Sequence, residues 1–173
     1  MLRSEGFEHY EISNYAREGK YALHNLGYWR GRDYLGLGCG AWGTVVSGGQ
    51  RFRYRNTPRA DRYIMLGERL RAGDGGVRVY PQHLDAGELL ESEVEVLTPE
   101  IMLDEALMLG LRLVSGVDVE AQAARLGCEA WPVARVRAVR RLVAKGQLVQ
   151  EGGRLRIPEP AWLFADGIIA QVL

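Results

Sequence analysis

The chain has 173 residues, 47% of them hydrophobic and 25% charged, enough apolar material to bury a core in one medium domain or two small ones. Twenty-two basic residues balance twenty-two acidic ones, so bulk charge gives no reason to expect nucleic acid or an anionic membrane as partner. Cys39 and Cys128 make neither a disulfide framework nor a CxxC unit, no apolar run reaches the roughly 18 residues of a membrane helix, and the start MLRSEGFEHY is too polar for a secretory signal; a cytoplasmic protein is the expectation.

The first 97 residues are rich in Gly, Tyr and Trp and read as short strands broken by turns. His9 to Tyr15 (HYEISNY) is predicted as a strand, and Asp33 to Leu37 (DYLGL) as another that ends in the glycine-rich run GLGCGA. Between them HNLGYW, residues 24–29, reads as a tight aromatic loop. Residues 51–55 (RFRYR) alternate, with Arg51, Arg53 and Arg55 on one face of a strand and Phe52 and Tyr54 on the other. An amphipathic helix is predicted from Ala60 to Arg71, and residues 72–97 form a connector with Gly at its start and Glu towards its end.

From Thr98 onward the pattern is helical. Thr98 as N-cap, Pro99 at the first helical position and Glu100 by the positive dipole end start a helix expected to run to about Val114. A shorter helix from about Asp118 ends at Gly127, and a third runs from Val133 to Lys145 with Val136, Val139, Leu142 and Val143 on one side, capped by Gly146. Gly152-Gly153 between apolar stretches predicts a hairpin within Leu148 to Ile157, and a last helix spans about Pro160 to Val172.

Three segments carry the chemistry. His24 has aromatic and apolar neighbours, and imidazole is a common axial ligand of heme iron, while aromatic faces supply the flat apolar contact a porphyrin needs. A hydrogen-bonded structural histidine is the alternative. Residues 17–62 hold nine basic side chains (Arg17, Lys20, Arg30, Arg32, Arg51, Arg53, Arg55, Arg59, Arg62) against three acidic ones, a local charge that suits an anionic, carboxylate-bearing ligand. The competing reading is a solvated basic face balanced by the acidic stretch Asp85 to Glu95. The run GLGCGA lets backbone approach a ligand closely, but Gly36, Gly38 and Gly40 do not give GxGxxG and no helix follows, so a tight bend at a sheet edge serves equally well.

In combination, YEISNYA (10–16), HNLGYW (24–29), DYLGLGCGA (33–41) and LDEALMLGLRLVSGVD (103–118) resemble the C-terminal half of oxygen-independent coproporphyrinogen oxidase-like radical S-adenosylmethionine proteins. The HNxxYW motif is similar to that of the HemW-type heme-chaperone branch. The resemblance implies an α+β fold: a C-terminal piece of a partial (β/α) radical S-adenosylmethionine barrel over 1–71, a connector over 72–97 and a small helical, winged-helix-like domain over 98–173. It implies heme or porphyrin binding by His24, as metal ligand, with Asn25, Tyr28, Trp29 and Arg30, and an S-adenosylmethionine pocket near Gly38, Gly40, Ala41 and Trp42. Trp42 departs from the smaller side chain expected there. The implied function is heme binding and delivery to a heme-accepting protein; the alternative within the family is oxidative decarboxylation of propionates.

Relatives of this kind hold a [4Fe–4S] cluster through CxxxCxxC, and no such run exists in these residues, Cys39 and Cys128 being 89 positions apart. The expectation is therefore a fragment with no catalytic residue of its own, unable to cleave S-adenosylmethionine alone. Two unrelated readings stay open. One is a winged-helix nucleic-acid-binding module, motivated by Arg135, Arg137, Arg140, Arg141 and Lys145 but opposed by nine acidic against nine basic residues over 98–173. The other is an interaction module with no ligand.

Overall fold

A computed structural model describes residues 2–72 and 93–173. They form two compact units, Met1–Arg32 with Pro99–Leu173, and Asp33–Thr98, a division that cuts across the boundaries expected from sequence.

The core of the first unit comes from its C-terminal residues. Helix α3, Pro99–Gly110, buries Leu103 and Leu107, and these pack with Leu142, Leu148, Leu155, Ile157, Ile168 and Val172 from the elements that follow. The helix stops at Gly110, four residues short of the expected end. There the backbone tightens, with Arg112 N–H donating to Leu109 O and Leu113 N–H to Gly110 O, and Leu113 leaves to bridge Glu11. Gly110 also has no room for a Cβ, which would lie 2.8 Å from the Val117 side chain.

Strand β6 (Val117–Asp118) leads into α4, Val119–Leu126, where the expected caps are present: Asp118 Oδ1 accepts from Ala121 N–H at 2.9 Å, and Gly127 ends the helix in the left-handed region. Helix α5, Val133–Ala144, buries Arg135, Ala138, Val139 and Leu142, whereas Val143 is exposed. Its buried stripe is thus rotated from the one expected, because Arg135 turns inward. The predicted hairpin is β7 (Val149–Glu151) and β8 (Arg154–Arg156), and with β6 it makes an antiparallel sheet in the order β6-β8-β7. The chain closes with a 3-10 turn, Glu159–Phe164, and helix α6, Ala165–Val172, rather than one continuous helix.

The N-terminal residues attach to this core. HYEISNY is two strands, β1 (Phe7–Glu11) and β2 (Asn14–Arg17), because Glu11 turns the chain: its carboxylate accepts from Ser13 N–H at 2.9 Å and from the Asn14 amide. Glu11 is fully buried, and Ile12 N–H donates to Arg112 O while Val114 N–H donates to Tyr10 O, so the hairpin is stitched backbone to backbone onto the end of α3. HNLGYW is helical, α1 spanning Leu23–Trp29, with Leu26 buried and the helix packed on α3. Burial of Leu26 against a neighbouring helix outweighs the weak intrinsic preference of so short a stretch.

The second unit is an antiparallel sheet, β3 (Trp42–Ser47), β4 (Gln50–Arg55) and β5 (Glu93–Leu97), with helix α2, Ala60–Ala72. Asp33–Leu37 contributes a single bridge, Tyr34 to Thr44, rather than the predicted strand. The last five residues of the expected connector are β5; its residues 73–92 lie outside the described residues. All described strand pairs are antiparallel, so no parallel pairing of a (β/α) barrel occurs among the described residues.

Candidate functional site

On α1, positions four apart share a face, and His24 and Tyr28 meet there: their rings are 4.8 Å apart at 83°, edge to face. Both are exposed, and the neighbouring Leu23 is 73% exposed. The imidazole is therefore open to solvent rather than consumed by the core. Asn25 and Trp29, on the adjacent stripe, are half-buried, and Arg30 is exposed at the helix C-cap. His24, Asn25, Tyr28, Trp29 and the C-cap Arg30 thus fall within about two turns of α1.

Sequence reasoning missed what lies behind Trp29. The Arg112 guanidinium stands 5.9 Å from the Trp29 ring centroid, donates through Nη1 to Met108 O, and pairs through Nη2 with Asp166 Oδ1 at 2.8 Å. Trp29 Nε1 is buried and has no hydrogen-bond partner among the described residues. Arg112 lies inside the quoted run LDEALMLGLRLVSGVD, yet in sequence it is one more helix cation. Glu11 was overlooked in the same way within YEISNYA.

The glycine run belongs to the second unit. Gly36 N–H donates to Tyr54 Oη and Gly38 N–H to Tyr63 Oη, both at 2.9 Å, and Gly40 N–H to Thr57 O at 2.9 Å. Asn56 Nδ2 donates to the carbonyls of Gly36 and Gly38, and its backbone N–H to Ala41 O. Glycine is required here: Gly38 has φ 103°, and a Cβ on Gly36 would lie 2.2 Å from Trp42 O. The loop's polar backbone is thereby largely committed to the unit's own side chains. Trp42 is 42% exposed and carries the Arg55 guanidinium 5.5 Å from its ring centroid.

Among the described residues, four of the nine basic side chains between residues 17 and 62 pair with carboxylates. Arg51 binds Asp33 at 2.7 Å, Arg53 binds Glu95, Arg55 lies 3.7 Å from Glu93, and Arg59 binds Asp61 at 2.8 Å. Hydrogen bonding to Arg59 lowers the Asp61 carboxyl below the ordinary aspartate value. Among the arginines that motivated nucleic-acid binding, Arg135 is 6% exposed; it donates to Val172 O and Ala130 O and pairs with Asp104. It is a structural tie between helices.

No group of three or more His, Cys, Asp or Glu able to hold a metal occurs among the described residues. Cys39 and Cys128 are two free thiols, too few to hold an iron–sulfur cluster by themselves. No described helix is long and apolar enough to cross a membrane.

Residues 97–164 match the HemN C-terminal domain. The heme chaperone HemW of Synechocystis sp. is 42% identical over 119 residues, covering 68% of this chain and 24% of that protein. HemW of Lactococcus lactis is 30% identical over 128 residues (74% and 28%), and the mitochondrial radical S-adenosyl methionine domain-containing protein 1 of Danio rerio 34% over 122 residues (68% and 23%). The chain thus spans about a quarter of the length of these relatives. The solved structure of coproporphyrinogen III oxidase (HemN) from Escherichia coli, a radical SAM enzyme, is similar in fold, with a TM-score of 0.66 at 12% identity over 99% of this chain and 38% of that one. With the HemN C-terminal domain at residues 97–164 and HemW proteins among its relatives, the chain belongs, as a portion about a quarter of their length, to the radical SAM family of HemN and HemW.

Proposed function

We propose that the protein binds heme at α1 as cargo and takes part in its delivery, as a heme chaperone does. The observation that carries this reading is the solvent-open His24 set edge-on against Tyr28, an imidazole held by one aromatic contact and otherwise ready to coordinate. His24 would hold the iron of bound heme through its imidazole, and Tyr28 and Leu23 would cover part of the macrocycle. Asn25 and Trp29 would border that face from the adjacent stripe, and Arg30 would stand at the end of the helix. Resemblance to proteins named heme chaperones supports the assignment.

On this reading the recipient is a heme-accepting protein and the compartment is the cytoplasm. Gly38, Gly40, Ala41 and Trp42 would line an S-adenosylmethionine pocket in the longer relatives; here their loop would act as a rigid wall, since its donors are already used. Residues 98–173, with helices followed by the β7–β8 hairpin, support a winged-helix-like domain. No step through a cluster follows from these residues.

Hemin titration tests the proposal. Wild type is expected to show a saturable shift of the Soret band that His24→Ala loses or weakens by at least about tenfold, the loss of a coordinating bond being worth more than about 1.4 kcal/mol. Identical spectra and affinities for the two proteins would remove His24 as ligand.

A further inference from the structure

We infer that Arg112 is the carboxylate anchor of the α1 site, held in reserve by Asp166. The inference rests on the proposed porphyrin site and adds the residue that would grip the ligand's acidic edge.

Arg112 reaches α1 from behind. Its guanidinium lies over Trp29, on the stripe next to the one that presents His24 and Tyr28, and Nη1 is fixed by Met108 O. One arm is therefore anchored and the other aims outward. That second arm, Nη2, binds only Asp166 Oδ1, whose side chain is 88% exposed. A carboxylate so open to water loses little by letting go, since exposed ion pairs contribute on the order of 0 to 1 kcal/mol. The Arg112 side chain itself is only 20% exposed, so it keeps its position when Asp166 swings away. A guanidinium whose outer arm is held only by an exposed acid can exchange that acid for the carboxylate of a ligand.

Two further observations mark the place. Trp29 Nε1, in the ring the guanidinium covers, is a buried donor without an acceptor, a rare and costly condition that an incoming acceptor near Arg112 would relieve. Beside Asp166, Phe164 and Leu163 are 64% and 94% exposed, an apolar margin next to the ion pair. Imidazole and Tyr28 for the iron and ring, guanidinium for the acid group: this is the division of labour a flat ligand with carboxylate arms requires. Asp166, 88% exposed, is also more open than the acids that hold Arg51, Arg53 and Arg55 (Asp33 and Glu95 at 45%, Glu93 at 69%), which makes the partner of Arg112 the easiest of these to displace.

The test uses the whole chain and separates iron from carboxylate. Hemin, metal-free protoporphyrin IX and protoporphyrin IX dimethyl ester are titrated against wild type, His24→Ala, Arg112→Gln and Asp166→Asn. Arg112→Gln is expected to weaken both hemin and protoporphyrin IX by about tenfold, the loss of a charge-assisted pair, and to leave the ester unchanged. Because Arg112 also ties Met108 O, that variant can lose stability; Asp166→Asn guards against this, since removing the competing acid is expected to tighten both free-acid ligands by about threefold, which unfolding cannot do. His24→Ala should affect hemin alone. If Arg112→Gln and Asp166→Asn bind all three ligands like wild type while His24→Ala loses hemin, the anchor is refuted and the heme site stands. If protoporphyrin IX depends on Arg112 while hemin ignores His24, the anchor stands without the axial ligand. Absence of any porphyrin binding to wild type would overturn both.

Discussion

Gly116 sits at φ 62°, and a Cβ there would lie 2.0 Å from the Leu155 carbonyl oxygen, so Gly116→Ala combines left-handed strain with a clash against β8. A loss of about 2 kcal/mol or more in urea unfolding is expected; an unchanged midpoint would mean that the turn is less tightly fixed than drawn. Glu11→Ala removes the acceptor of Ser13 N–H and of the Asn14 amide in a buried place, and should cost on the order of 1–3 kcal/mol by the same measurement. Tyr21 donates to Glu8 Oε2 at 2.6 Å, which raises its phenol above the ordinary value of 10.0. The bond's contribution is complete below that ordinary value and disappears as pH climbs through the raised one. Ultraviolet titration should show Tyr21 ionising at lower pH in Glu8→Gln than in wild type. Little of this was legible beforehand: His24 stands out because imidazole is rare and chemically distinctive, whereas Glu11 matters through its bridge to Leu113 and Arg112 through Trp29 and Asp166, partners that only folding brings near.

Helices announced themselves better than strands. Helix α4 begins and ends at Asp118 and Gly127 as expected because its caps are local, a side chain bonding a backbone three residues on and a glycine entering the left-handed region. The β7–β8 hairpin was equally local. By contrast β3 and β5 escaped, since Trp42–Ser47 and Glu93–Leu97 become strands only by pairing with Gln50–Arg55. That pairing also explains the alternating arginines of β4. Arg53 and Arg55 face Glu95 and Glu93 across the ladder, so the charges serve cross-strand register rather than a ligand field. Glu95→Gln should shift stability by less than about 1 kcal/mol and do so only at low salt, as read from urea midpoints at two ionic strengths.

Among the described residues, the buried cluster of the first unit is made by residues between Leu103 and Val172, while the N-terminal residues pack on it from outside through Ile12, the His9 ring against Trp162, helix α1 with its buried Leu26, and a backbone seam. Residues 98–173 alone are therefore expected to unfold cooperatively with near-native helical circular dichroism, at a lower midpoint than the full chain; a non-cooperative melt would assign the N-terminal residues an indispensable share of the core. That sharing was invisible in the sequence, which shows where composition changes but not which distant pieces touch.

The seam between Glu11 and Leu113 has a consequence for the ribosome. Translation delivers β1 and β2 about a hundred residues before the stretch that receives them, so the hairpin's turn glutamate must wait in water until α3 has emerged and closed. Amide protons of Ile12 and Val114 should then gain protection together and late in pulse-labelled refolding, after those inside α4 and α5.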